Sequence, residues 1–223
     1  MREIGKARFE NEKVLGSGHS YEGLTLTGCT FAQCAFSQLE DPGYGLVVRA
    51  ATLTRCTVRR CTVHGARLED TVIDRLTTSG ALRLEACVFN RVTVLGRAGS
   101  VMLMPPRFTL PAERRAAFDA GALEFYRGVD WALDIRAAEF GSADLYWLPG
   151  ALVRRDPATQ FLLWREAFEG VDLGGFPGFA RIAAGRFEST PFDSMVAIAP
   201  KRSEKYAERL AGLEFLRRRG LAE

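Results

Sequence analysis

The sequence predicts a β-rich α+β protein, with a repeat-built, strand-rich half over residues 1–104 and a smaller half over 105–223 that mixes strands with helices. Three observations carry this reading. From His19 to Val94 small or apolar residues recur every fifth position, each followed two places on by a second apolar residue. The period stops between Gly99 and Pro106, where Met104-Pro105-Pro106 marks an exit from the repeat. Beyond that point, segments of helical spacing alternate with segments of strict apolar/polar alternation.

A period of five fits neither the 3.6 of a helix nor the 2 of a plain strand, so it signals an internal repeat. The pairs begin at His19/Tyr21, Leu24/Leu26, Cys29/Phe31 and Cys34/Phe36. They continue through Leu46/Val48, Ala51/Leu53, Cys56/Val58, Cys61/Val63 and Ala66/Leu68, and end at Leu82/Leu84, Cys87/Phe89 and Val92/Val94. The phase slips twice. Glu40-Asp41-Pro42-Gly43-Tyr44-Gly45 adds two residues with turn chemistry and is expected to bulge out as a loop, and Gly80-Ala81 adds one.

Units such as Cys29-Thr30-Phe31-Ala32-Gln33, Cys56-Thr57-Val58-Arg59-Arg60 and Ala66-Arg67-Leu68-Glu69-Asp70 resemble those of the pentapeptide-repeat family. The resemblance implies a short right-handed quadrilateral parallel β-helix, with four units to a coil and both apolar positions inward. On that basis Leu24 is expected under Leu46, Ala66 and Cys87, and Cys34 under Cys56 and Leu76. Such a helix has about four coils and stands near 20 Å tall at one strand spacing per coil. Residues 1–18 are expected to cap one end and the rest of the chain the other.

The repeat absorbs all five cysteines, Cys29, Cys34, Cys56, Cys61 and Cys87, at the first inward position of a unit, where a thiol behaves as a small apolar group. The two C-x4-C spacings leave a zinc site as the competing reading, but units without Cys keep the same period and no His cluster joins them. Cys34 and Cys56 are read as neighbours in one stack, near enough for a disulfide that a reducing compartment disfavours. His19 falls on an inward position, whereas His64 follows inward Val63 and is expected to point out.

In the second half, Phe118, Ala122, Phe125 and Val129 repeat at helical spacing behind Pro111, predicting a helix over 111–128. Trp131, Leu133 and Ile135 alternate with polar positions as in a half-buried strand. Short strands are expected at 145–148, 151–153 and 161–164. Between these and the end, Gly-rich Val171–Phe179 reads as a loop, since no phosphate-binding glycine pattern is present. A last helix over 203–219 is capped by Ser203 and stopped by Gly220. With Arg154-Arg155-Asp156-Pro157-Ala158-Thr159-Gln160 and Val196-Ala197-Ile198-Ala199-Pro200-Lys201-Arg202, the whole chain is similar to a group of bacterial proteins that join a pentapeptide-like half to an α/β half. That resemblance carries an architecture and no mechanism.

Charge narrows the function classes. The net +3 divides into 13 basic and 10 acidic residues before Pro105 and 17 of each after it, which is not the strong field of a dedicated nucleic-acid binder. No apolar run suits a membrane span or a secretory leader, so a cytoplasmic address is expected. No motif of nucleophilic, zincin or redox chemistry occurs, and no cofactor or metal is expected. The expected function is non-enzymatic: a scaffold, immunity or regulatory partner of another protein. Arg59, Arg60, Arg154, Arg155, Lys201 and Arg202 are its candidate binding residues. A solenoid end or the last helix could also pair two chains as a homodimer. Two alternatives stand beside it. One is a topoisomerase-binding DNA mimic, suggested by the family resemblance. The other is an enzyme whose cleft draws on Asp130, Asp134, Arg136, Arg154 or Arg155.

Overall fold

The computed structural model describes residues 2–223. Its amino-terminal part is built of short parallel strands in stacked layers, a β-helix-like arrangement. The first layer holds β1 (Arg2–Gly5), β2 (Arg8–Glu10), β3 (Lys13–Leu15) and β4 (Ser20–Glu22). The second holds β5 (Leu24–Thr27), β6 (Thr30–Ala32), β7 (Ala35–Ser37) and β8 (Leu46–Arg49). The third holds β9 (Thr52–Thr54), β10 (Thr57–Arg59), β11 (Thr62–His64) and β12 (Ala66–Glu69). The fourth holds β13 (Val72–Asp74), β14 (Thr77–Ser79), β15 (Ala81–Glu85) and β16 (Val88–Asn90). Each strand pairs in parallel with its counterpart in the next layer, giving four stacks that begin with β1, β2, β3 and β4.

Two expectations need correction. Residues 2–15 do not cap the repeat, because β1, β2 and β3 are themselves a layer, paired with β5, β6 and β7; Met1, the first residue of that expected cap, lies outside the described residues. The segment 38–45 is also an insertion between β7 and β8 that forms no strand of its own, so Leu46 opens the next side after the Cys34 unit. Leu24 and Cys34, which precede it, are therefore one face away from their expected partners, whereas Leu46, Ala66 and Cys87, and Cys56 and Leu76, stack as expected. Leu46 pairs with Ala66, but Leu24 pairs with Arg2 in the first stack. Cys56 comes above Cys29 and Cys61 above Cys34, so Cys34 and Cys56 belong to different stacks.

The corners explain how a five-residue unit turns. Among the described residues, eleven other than glycine have positive φ, ten of them at corners, where a left-handed residue typically aims its N–H at a carbonyl one layer away. One column runs Lys6, Gly28, Arg55, Arg75, Gly96, and its N–H groups donate to Thr27, Thr54, Asp74, Leu95 and Ala137 at 2.8–3.0 Å. A left-handed conformation costs an L-residue about 1–2 kcal/mol, and β-branched side chains suffer most. Ala50, exposed with φ 50°, tests this. Ala50→Val is expected to lower stability by about 2 kcal/mol in urea denaturation, while Ala50→Gly stays near neutral because relief of strain offsets backbone entropy.

Parallel stacking does not stop at residue 104. The strand β17 (Val92–Met104) pairs with β13 through Thr93–Leu95 and with β15 through Ser100–Met104, arching over β14 between them. The arch needs Gly99, whose added Cβ would lie 2.2 Å from Thr78 Oγ1. After β17 come helix α1 (Ala112–Tyr126), strand β18 (Leu133–Asp134) and strand β19 (Ala138–Leu145). Both strands pair in parallel with β17. Then follow β20 (Val153–Arg154), β21 (Gln160–Trp164), α2 (Gly178–Gly185), β22 (Ser194–Ile198) and α3 (Tyr206–Arg218). The glycine-rich segment thus ends in a helix, with Pro177 at its N-cap, where a loop was expected to run on. The strand expected over Trp131–Ile135 shrinks to two residues, and that expected at 145–148 comes earlier, over 138–145.

Strand β22 pairs antiparallel with β21 and, at Val196, with Leu145 of β19. Alternation sorts their side chains: Leu162, Val196 and Ile198 enter the core shared with the solenoid, while Phe161, Leu163 and Met195 face α2 and α3. Burial on both sides is why Phe161–Trp164 reads as an unbroken apolar run. The shared core runs from Tyr44 and Leu46 through Cys87, Phe89 and Leu103 to Phe118, Phe140 and Ile198. Helix α3 ends as expected: Gly220 has φ 71°, and the Leu221 N–H donates to Leu216 O at 3.0 Å.

Candidate functional site

The face formed by β2, β6, β10 and β14 gathers the features expected of a recognition surface. Alternation turns Phe31, Val58 and Thr78 to one side, so their neighbours on the other form two rows. Thr30, Thr57 and Thr77 make one; Glu10, Ala32, Arg59 and Ser79 the other. Arg55 occupies the corner before this face and Arg60 the corner after it, both with positive φ. Arg59 and Arg60, with Ala32, Gln33 and Ser79, line a shallow open depression.

These arginines lack local neutralisation and lie close together. Arg8, Arg49, Arg67, Arg75, Arg83 and Arg91 are paired in place, while Arg2 and Arg97, also without an ion pair among the described residues, stand on β1 and β17. Glu69 lies between Arg67 and Arg49 at 2.5 and 2.6 Å, Asp70 accepts from Arg91 at 2.6 Å, and Glu85 accepts from Arg107 at 2.5 Å and Arg83 at 3.0 Å. Burial opposes the charge on Glu69, but hydrogen bonds from Arg67 and Arg49 outweigh it and hold the carboxyl below its usual range. Arg55, Arg59 and Arg60 are exposed and make no ion pair or side-chain hydrogen bond among the described residues. Such side chains keep their full charge for a partner.

The other predicted binding residues lie on different elements. Arg154 sits over the Trp131 ring, 4.2 Å from its centroid. Arg155 reaches Glu223 at 3.4 Å, Lys201 is paired with Asp156 at 3.0 Å, and Arg202 is exposed. Arg155, Lys201 and Asp156 thus fasten the turn before β21 to the segment after β22. The expected same-face pair Asp130/Asp134 does not form. Asp130 is exposed and outside the strand, while Asp134 is buried and bound by Arg136 at 3.0 and 2.6 Å, which keeps its carboxyl below the usual range.

The cysteines are wall-filling groups. Cys29, Cys56 and Cys87 are buried, Cys34 and Cys61 half-buried, and all are free thiols. Cys29, Cys34, Cys56 and Cys61 each put Sγ 3.4–3.5 Å from a carbonyl one layer below, a weak bond suited to a small inward donor. Burial raises the thiols of Cys56 and Cys61 and pushes that of Cys87 up to about 12, away from nucleophilic use. No group of three or more His, Cys, Asp or Glu side chains among the described residues is placed to hold a metal ion. No helix among them is long and apolar enough to cross a membrane.

The expectation for His19 is reversed, and that for His64 holds in direction but not in exposure. His19 is exposed, and His64 is fully buried: its Nδ1 lies 2.7 Å from Gln38 O and its ring meets Phe118 edge-on. Alternation does turn His64 away from Val63, but segment 38–45 and α1 cover that side. Sequence spacing also missed a cleft where Asp144 of β19 meets Arg186 just past α2, because the two are 42 positions apart and belong to no local motif.

Fold and surface together define a class, a β-helix-like protein with one basic, threonine-lined face. Compared with protein-family models and with curated proteins, the chain matches none.

Proposed function

We propose that this chain is a non-enzymatic interaction protein that binds an acidic protein surface through the face of β2, β6, β10 and β14. The reading includes a right-handed quadrilateral solenoid of pentapeptide type as the rigid frame. One observation carries it: Arg55, Arg59 and Arg60 stand clustered and exposed around the threonine row, with no carboxylate paired to them among the described residues. Rigid strands fix their spacing, so little side-chain ordering beyond the arginines themselves is needed on binding. A basic face argues against DNA mimicry, which requires the opposite sign, and the small net charge of +3 favours a protein over nucleic acid. A standard interface covers about 800 Å² per partner, so contact would spread onto the neighbouring corner and Thr25, Thr27, Thr52 and Thr54.

The test is charge reversal. A photo-crosslinking residue at position 57 should capture one acidic protein reproducibly from the native host. Arg59→Glu with Arg60→Glu should abolish the capture, and Arg218→Glu on the far helix should not. Capture indifferent to the Arg59/Arg60 reversal, or capture of nucleic acid instead, would refute the reading.

A further inference from the structure

A second concave site lies where the outward side of β15, β17 and β19 meets α2, α3 and β22. Its volume is about 300 Å³, the lower end of the range for small-molecule sites. On the sheet side the wall is polar. Ser142 and Asp144 alternate with Ala143 and Leu145, which enter the core, so the polar pair faces the cleft. On the helix side Phe179, Ile182, Ala183 and Arg186 line it at the spacing of one helical face. Ile182 is 56% exposed, an apolar side chain at the rim without a packing partner in either core.

The charges inside do not balance. Arg186 donates from Nη2 to Asp144 at 2.5 Å and lies over the Tyr146 ring, 4.6 Å from its centroid. Its Nε–H is buried and has no hydrogen-bond partner. Arg209 of α3 rests over Phe179 at 5.1 Å and forms no ion pair among the described residues. One carboxylate therefore faces two guanidiniums, one of which keeps an unused donor. Burial raises the Asp144 carboxyl above its usual range despite the arginines, which weakens its hold on them further.

We propose that this cleft binds a small amphipathic carboxylate, its charged end between Arg186 and Arg209 and its apolar body over Ile182, Met102 and Met195. A monoanion restores neutrality and covers the exposed isoleucine. A phosphate dianion would satisfy the arginines but leave the apolar wall wet and bring a second charge beside Asp144.

The experiment uses the full chain and isothermal titration calorimetry with octanoate, octanamide and inorganic phosphate as probes. Octanoate is expected to bind saturably at millimolar concentration or below, and octanamide and phosphate at least about tenfold more weakly, since a charge-assisted hydrogen bond is worth about tenfold or more. Arg209→Gln and Ile182→Glu, each with a melting curve to show that the fold is kept, should each weaken octanoate about tenfold, and Arg186→Gln should do the same. Arg59→Glu with Arg60→Glu should leave octanoate binding unchanged, so this inference and the face reading fail separately. No saturable octanoate binding, equal binding of the amide, or unaltered binding by Arg209→Gln and Ile182→Glu would overturn it.

Discussion

Replacing Gly121 by alanine is expected to destabilise the protein by about 3 kcal/mol, although the same change inside an ordinary helix is favourable by about 1 kcal/mol. Gly121 lies in α1, and an added Cβ would fall 2.1 Å from Pro42 O and 3.0 Å from Pro42 C. Both are backbone atoms, so no rotamer change relieves the clash. The segment that carries Pro42 has little room to retreat. Gln38 donates to Asp41 O and Gly65 O at 2.8 Å, Arg114 donates to Glu40 O at 2.6 Å, and the Tyr44 hydroxyl donates to Phe118 O at 3.0 Å. Urea denaturation of Gly121→Ala against Gly128→Ala decides the point. Gly128 has open space around it, and its substitution should move stability by less than about 0.5 kcal/mol. Equal midpoints for the two variants would show that α1 is not seated on this segment.

Lowering the pH below about 6.5, the ordinary histidine value, should progressively destabilise the fold through His64. Burial pushes its pKa down, and the neighbouring Arg107 adds to the effect, while the hydrogen bond to Gln38 and the charge of Glu85 act the other way. Geometry requires the neutral ring with its proton on Nδ1. Nδ1 lies 2.7 Å from Gln38 O, and Nε2 faces the Arg107 N–H at 3.5 Å, so a proton on Nε2 would set donor against donor. The sign follows: a depressed folded pKa means the unfolded chain takes the proton first. Stability is therefore fully present above the unfolded value and falls as pH drops through it toward the folded one. The half-buried carboxyls Asp119 and Asp144, raised by desolvation, work in the opposite sense. The diagnostic is accordingly the difference between wild type and His64→Gln in melting temperature at pH 7.5 and pH 5. His64→Gln should cost about 2–3 kcal/mol at the higher pH and lose most of the slope. A parallel slope in the variant would remove His64 from the explanation.

The five-residue period was legible because each unit repeats one backbone solution: a short strand, a left-handed corner, and a small inward residue such as Cys29, Cys56 or Ala66. Register was not legible across Gln38–Gly45. Counting residues reads this stretch as one more unit with a slip of phase, while the chain packs it as an insertion between β7 and β8 and keeps four strands in that layer. The start was misread for a related reason, since Ile4 and Val14 keep the mid-strand position behind Arg2 and Glu12, and only Phe9, behind Ala7, has a small residue to announce the unit. Arg59 and Arg60 were readable as outward because their place in the unit demands it. Their freedom from ion pairs was not, since Arg67 and Arg91 look the same in sequence and differ only in having Glu69 or Asp70 alongside. The cleft at Asp144 arises from three separated elements, and no spacing rule joins them.

Strand β17 has a consequence for how the molecule comes apart. It closes the fourth layer from above and supports β18 and β19 from below, so the two halves of the chain have no solvent-facing boundary there. Val94 and Leu103 contact both sides of that seam. Splitting the halves would wet this floor all at once, which links their melting into a shared cooperative transition, with no half-denatured species able to persist around residue 104.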